Sequence, residues 1–207
     1  EKVAALHTTP NFALFVGQGS IREAVIGDFD RKATPAEIDK MRGLVRQGME
    51  QGAFGLSSGL FYVPGTFTPT EEVIELAKVA GQMGGIYISH MREETKAVRD
   101  SVRETIAIGE KGGLPTQVTH HKIIGKKYWG ASIDTLKMID EARARGVDAT
   151  IDQYPYTASA TSVSAATTRM TPLMARPIMG PDPVPDCVGR DRNAVCTPNR
   201  LSTNEIR

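Results

Sequence analysis

Between residues 11 and 153 short apolar, β-branched runs alternate with segments of helical periodicity. No other feature constrains the fold as tightly. The spacing predicts strands at residues 11–17, 52–57, 85–90, 116–121 and 147–153. Within 34–51, the residues Ile38, Met41, Leu44, Val45 and Met49 share one helical face. Within 70–83 the set is Val73, Ile74, Ala77, Ala80 and Met83, and within 133–145 it is Ile133, Leu136, Ile139 and Ala142. Thr34-Pro35-Ala36-Glu37 and Thr68-Pro69-Thr70-Glu71 each read as a capped start, with Thr at the cap, Pro in the first turn and Glu at the third position. Glycines at Gly84-Gly85, Gly112-Gly113 and Gly146 suit helix ends.

A repeat of roughly 30 to 40 residues is the length of a βα unit, and such units imply parallel strands with right-handed crossovers. An open doubly wound sheet and a (β/α)8 barrel both satisfy it. The glycine-rich stretch Gly17-Gln18-Gly19-Ser20 lacks the third glycine and the later acidic residue of a dinucleotide-binding turn. With 40% hydrophobic and 24% charged residues the chain has the composition of an ordinary globular protein. A formal net charge of +1 supplies no footprint for nucleic acid or an anionic membrane. No apolar run approaches the roughly 18 residues of a spanning helix, and the first residues do not open a signal peptide, so a cytoplasmic location is expected.

The expected domain division places a partial barrel over residues 1–166 and an irregular tail over 167–207. Six of the twelve prolines fall in that tail, where Pro181, Pro183 and Pro185 alternate. Such spacing denies donors to helix and inner strand alike. A disordered tail and an out-of-frame translation both fit, and the abrupt loss of rhythm favours the second. Cys187 and Cys196 also lie there, and one short loop makes no disulfide framework.

Three of the four histidines stand at strand ends. His90 closes one apolar run, and His120 and His121 close the next. Parallel α/β folds build their sites at the C-terminal mouths of strands, and neutral imidazoles from neighbouring strands can meet at one zinc ion. A hydrogen-bonded histidine capping a strand remains the plain alternative for each. Strand alternation sends one of the adjacent pair inward and the other outward, with Lys122 on the face of His120. A lysine there suits an anionic group such as a carboxylate, while a solvated surface lysine is the commoner outcome. Ser57 and Ser58 lack a nucleophile elbow, which discounts a serine hydrolase. The run Leu60-Phe61-Tyr62-Val63 after the second strand is costly to expose unless it lines a pocket or packs under its loop.

The segment from Gly52 to Ser159 resembles the N-acyl-D-amino-acid deacylases, a branch of the metal-dependent amidohydrolases. The resemblance rests on Gly55-Leu56-Ser57-Ser58-Gly59-Leu60-Phe61-Tyr62-Val63-Pro64-Gly65, Ser89-His90-Met91-Arg92, Thr119-His120-His121-Lys122 and Tyr154-Pro155-Tyr156-Thr157, in matching order and spacing. It implies a (β/α)8 barrel, here as a partial barrel of about five βα units. It also implies a zinc-dependent hydrolase cleaving the amide of small-molecule N-acyl-D-amino acids to a carboxylate and a D-amino acid. By position, His90 and His120 match metal ligands. Tyr62, Lys122 and Ser159 match residues that hold the substrate carboxylate or orient the amide, and Phe61 matches a wall of the side-chain pocket. Where the family commonly has His, this chain has Gln18.

The family's His-x-His pair, cysteine ligand and catalytic aspartate find no match, because His7 stands alone and Cys187, Cys196, Asp182, Asp186 and Asp191 lie outside the barrel rhythm. A fragment without turnover of its own is therefore expected, with no catalytic residue assigned. A cyclic-amide hydrolase of the dihydroorotase and hydantoinase type is the alternative among enzymes, and a non-catalytic remnant is the alternative outside them.

Overall fold

The computed structural model describes Thr9 and residues 11–156. The expected tail and its boundary near Ala166 lie outside the described residues, as do His7, Ser159, Cys187 and Cys196.

Five parallel strands form one sheet: β1 Val16–Gly17, β2 Gly55–Gly59, β3 Ile86–His90, β4 Thr116–Val118 and β5 Ala149–Ile151. Their spatial order is their sequence order. A doubly wound sheet reverses its strand order at a switch point, and this sheet does not, so the winding is that of a (β/α)8 barrel segment. The helices are α1 Gln18–Val25, α2 Pro35–Glu50, α3 Thr70–Gln82, α4 Val98–Gly112 and α5 Ser132–Ala144. Glycine is required at Gly55, where a Cβ would meet the Ile86 carbonyl oxygen at 1.9 Å, so β2 and β3 pair only because that position has no side chain.

The start of α2 bears out its sequence. Thr34 Oγ1 accepts from the Glu37 N–H at 3.3 Å, and Glu37 accepts from the Thr34 N–H at 2.8 Å. Met41 and Val45 are fully buried, and Ile38 and Met49 pack against the core they join. The second expected cap does not form. The Thr68 hydroxyl is drawn away, accepting from Gln18 Nε2 at 3.0 Å and donating to the Pro64 carbonyl, and Pro69 flanks α3 instead. Gln18 thus ends β1 by fastening it to the loop before α3. The expected face of α5 is also corrected. Ile139 and Ala142 are buried, but Ile133 and Leu136 are exposed, and Thr135 takes the inward position. Leu44 and Met83, assigned to inward faces of α2 and α3, are instead exposed, Met83 just beyond the end of α3.

Two apolar clusters support the sheet. One joins α1–α3 to β2 and β3 through Ile21, Met41, Val45, Leu56, Val73, Leu76 and Tyr87. The other joins α4 and α5 to β4 and β5 through Val98, Val102, Ile106, Val118, Ile139 and Ala149. Beside the first, the fully buried Arg22 pairs with Glu72 of α3 and donates to the Arg31 carbonyl at 2.5 Å.

Candidate metal centre

All the candidate side chains within the described residues stand at the C-terminal mouths of β2, β3 and β4 or in the loops that follow. His90 is the last residue of β3. The expectation that β4 runs to residue 121 is corrected: the ladder stops at Val118, and His120 adopts a left-handed backbone with φ 43°. Few non-glycine residues adopt that region. Asp152, one residue beyond β5, holds this turn by accepting the His120 N–H at 2.6 Å and the Gln117 side-chain amide. It is the turn, not strand alternation, that separates the two histidines. His120 turns toward β3, while His121 lies buried with Nε2 3.0 Å from Thr135 Oγ1 of α5.

The consequence is direct contact between the two predicted ligands. His120 Nε2 lies 2.8 Å from His90 Nδ1, with ring centroids 4.5 Å apart. Lys122 reaches the same place, its Nζ donating to His120 Nδ1 at 3.0 Å and to Glu94 Oε1 at 2.7 Å. Glu94 Oε1 in turn lies 3.3 Å from His120 Nδ1. His90, Glu94 and His120 offer ligand atoms that all lie within 4.8 Å of one another.

Electrostatics matches that geometry. Burial pushes His90 down to about 4, so at neutral pH it presents an uncharged imidazole. Burial acts to raise Glu94, but the polar surroundings, the Lys122 ammonium among them, outweigh it and hold the carboxyl below its usual range. A nearly buried carboxylate is costly without a partner, so a cation here is a requirement of the fold. Lys122 supplies one such charge.

Aromatic side chains form the walls. Tyr62 and Phe61, in the loop after β2, sit 4.7 and 5.9 Å from the His90 ring by centroid, and they meet each other edge to face at 5.3 Å. Tyr154 lies 6.4 Å from the His120 ring. Arg92 fixes the Phe61–Tyr62 loop by donating to the Thr66 and Thr68 carbonyls at 3.1 and 2.8 Å while pairing with Glu104 of α4. Ser58 is hydrogen-bonded to the Tyr87 hydroxyl at 2.6 Å and Ser57 to the Val16 carbonyl.

Sequence reasoning missed Glu94 as a member of this cluster. It lies in an aperiodic loop four residues after His90, where no strand or helix pattern marks it. Its one signal was the pair Glu93-Glu94 following Ser89-His90-Met91-Arg92, since acidic residues beside a buried strand end need a partner.

The donor set fits a borderline divalent cation. Two imidazole nitrogens face each other, the ligand chemistry zinc takes, and the Glu94 carboxylate lies at the other nitrogen of the His120 ring. Their 2.8 Å separation is shorter than the roughly 3.3 Å expected of two nitrogens each bonded at about 2.0–2.1 Å to a tetrahedral ion, so a small opening of the pair would admit one.

No family model matches the chain. Curated relatives do. The chain is 37% identical over 205 residues to a D-aminoacylase of Alcaligenes xylosoxydans xylosoxydans, a match covering 98% of this chain and 42% of that protein. It is 39% identical over 151 residues to an N-acyl-D-glutamate deacylase of the same organism, covering 73% of this chain and 31% of that protein. Among solved structures, the N-acyl-D-glutamate deacylase of Bordetella bronchiseptica, complexed with zinc and a phosphonate mimic of the tetrahedral intermediate, superposes with a TM-score of 0.72 at 37% identity. That superposition covers 75% of this chain and 33% of the other. The chain therefore spans about two fifths or less of the length of these curated relatives.

Proposed function

We propose, from the premise that the chain belongs to the N-acyl-D-amino-acid deacylase family of metal-dependent amidohydrolases, that its strand-mouth cluster is part of a zinc-dependent site cleaving the amide of N-acyl-D-amino acids. The observation that carries this reading is the contact of His90 Nδ1 with His120 Nε2 at the mouths of adjacent parallel strands. These two nitrogens would hold the ion. When bound, zinc polarises the amide carbonyl and activates water.

The chain's own residues supply binding and exclusion of water. Lys122 offers an ammonium at the mouth for the substrate carboxylate, in competition with Glu94. Tyr62 hydrogen-bonds or orients the amide side of the substrate, and Phe61 walls the side-chain pocket. Ser159 joins them in this reading and lies outside the described residues. The proton of the attacking water needs a base, and both carboxylates described near the histidines are engaged. Glu94 is held by Lys122, and Asp152 by the His120 N–H and Gln117. The 207-residue chain alone is therefore expected to bind zinc without turning over.

The test is metal analysis and an amide-hydrolysis assay on the purified chain with several N-acetyl-D-amino acids. One tightly held zinc, lost on His90→Ala, with no hydrolysis above background, is the expected result. No zinc uptake refutes the metal reading. A rate within the usual enzymatic range of about 1–10³ s⁻¹ would show that the chain carries a base of its own.

A further inference from the structure

Lysine has only donors to offer, so when Lys122 lies 3.0 Å from His120 Nδ1 that nitrogen is the acceptor. The ring proton then sits on Nε2 and is donated to His90 Nδ1 across 2.8 Å. This arrangement is self-consistent, and it is incompatible with both facing nitrogens binding an ion, because His120 Nε2 carries a proton where a lone pair is needed. A second arrangement is built into the same contacts. Glu94 Oε1, 3.3 Å from His120 Nδ1, can accept a proton placed there. The ring would then be fixed in the tautomer that leaves Nε2 bare, as carboxylate partners of metal-bound histidines commonly do.

We propose that Glu94 is a positioning residue for the metal site, the pivot on which His120 changes tautomer when zinc binds. The ring stays neutral overall: Nε2 gives up its proton to water, Nδ1 takes one from water, and Glu94 accepts the hydrogen bond from the new Nδ1–H. Two N–H groups cannot share one contact, so the Lys122 ammonium leaves Nδ1 while keeping its pair with the Glu94 carboxylate. One of its three donors is thereby freed at the mouth. Zinc and an anionic substrate group are then linked through a single carboxylate: the ion claims the far side of the His120 ring, and Lys122 becomes available to the anion. In the metal-free protein, Lys122 fills the cation requirement of a carboxylate that is only 6% exposed.

The inference rests on the zinc reading above, and the experiment keeps the two separable. Zinc affinity is measured by chelator competition on the 207-residue chain. The His120 tautomer is read from ¹⁵N–¹H correlation spectra, assigned by replacing each histidine in turn, with and without zinc. In the metal-free chain His120 should carry its proton on Nε2, and zinc should move it to Nδ1. Lys122→Met should shift the metal-free ring toward Nδ1–H, since the competing donor is gone and Glu94 remains. Glu94→Ala should weaken zinc binding by about 10–100-fold, the usual loss for such partners. Glu94→Gln keeps a carbonyl oxygen as acceptor and should recover part of it, which also controls for a loop that fails to fold in the alanine variant. An Nδ1–H ring in the unaltered metal-free chain, or zinc affinity that Glu94→Ala leaves within about twofold, would overturn the pivot while leaving the metal reading intact. Absence of zinc uptake would refute the metal reading and the pivot with it, an outcome distinct from zinc uptake with an unchanged tautomer, which overturns the pivot alone.

Discussion

Helices α3 and α5 have the same length, 13 residues, and follow β2 and β4 in alternate turns of the same winding, yet they are buried to very different degrees. α3 encloses Glu72, Val73, Ile74, Leu76, Ala77, Val79 and Ala80. α5 encloses Thr135, Ile139 and Ala142, and leaves Ile133 and Leu136 in solvent. The sequence already gives α3 the fuller apolar face, with Val73, Ile74, Leu76, Ala77, Val79 and Ala80. Neighbours widen the difference: α3 is flanked by α2 on one side and α4 on the other, whereas α4 alone flanks α5 among the described residues. In this architecture a helix gains only its sheet-facing stripe from its own unit, and the sides of that stripe are covered by adjacent units. Periodicity shows that a helix has an apolar face. It does not show how wide the covered part is.

The largest consequence is expected at the anchor beside α3. Arg22 is fully buried against Glu72 and the Arg31 carbonyl. Removing one partner of a buried ion pair leaves the other charge unpaired, at a cost of about 3–5 kcal/mol. Chemical denaturation of Arg22→Ala should show a loss of that order. If the loss stays under about 1 kcal/mol, water reaches Glu72 and the α3 side of the comparison is less dry than its burial indicates. Replacing both partners together with apolar residues should be far milder, which separates the pair's desolvation from simple loss of packing.

Next comes the packing of α3 itself. Leu76 is fully buried in the cluster shared with α2 and β3, so Leu76→Ala should cost about 2–5 kcal/mol in the same denaturation experiment. A much smaller value would mean that the cluster collapses onto the gap. The double variant with Arg22→Ala sharpens the reading, since two contributions within one packed unit should depart from additivity.

Legibility followed the same division. The strand positions were readable because β3 and β4 alternate sharply with capped or glycine-ended helices, and Thr34 to Glu37 formed the box its letters imply. The Thr68 cap was misread because a threonine hydroxyl takes the better partner available. Here that partner is Gln18, fifty positions away in sequence, which local pattern does not reveal. At the mouth, His90 and His120 were legible as candidates at strand ends, but the reason they meet was not. The meeting depends on the left-handed turn at His120 and on Asp152 capping it from the next strand. Glu94 was missed for a related reason: its contacts with His120 and Lys122 exist only once separate loops are brought together.

The smallest effect is expected on the outer face of α5, and it is the one that tests what the comparison means. Leu136 is 46% exposed and Ile133 is 74% exposed. Surface substitutions away from caps, cores and networks usually change stability by no more than about 0.5 kcal/mol. Leu136→Ala in the 207-residue chain should fall in that range, several-fold below Leu76→Ala, although both remove the same atoms from helices of the same length. The measurement is paired denaturation of the two variants at two protein concentrations. A loss at Leu136 above about 2 kcal/mol would show that something covers this face in solution. Dependence on concentration would then point to a second copy, because association stabilises by mass action whereas intramolecular cover does not. A small, concentration-independent loss at Leu136 beside a large one at Leu76 would establish that cover by neighbouring elements, not the apolar side chain alone, decides how much a leucine contributes to stability.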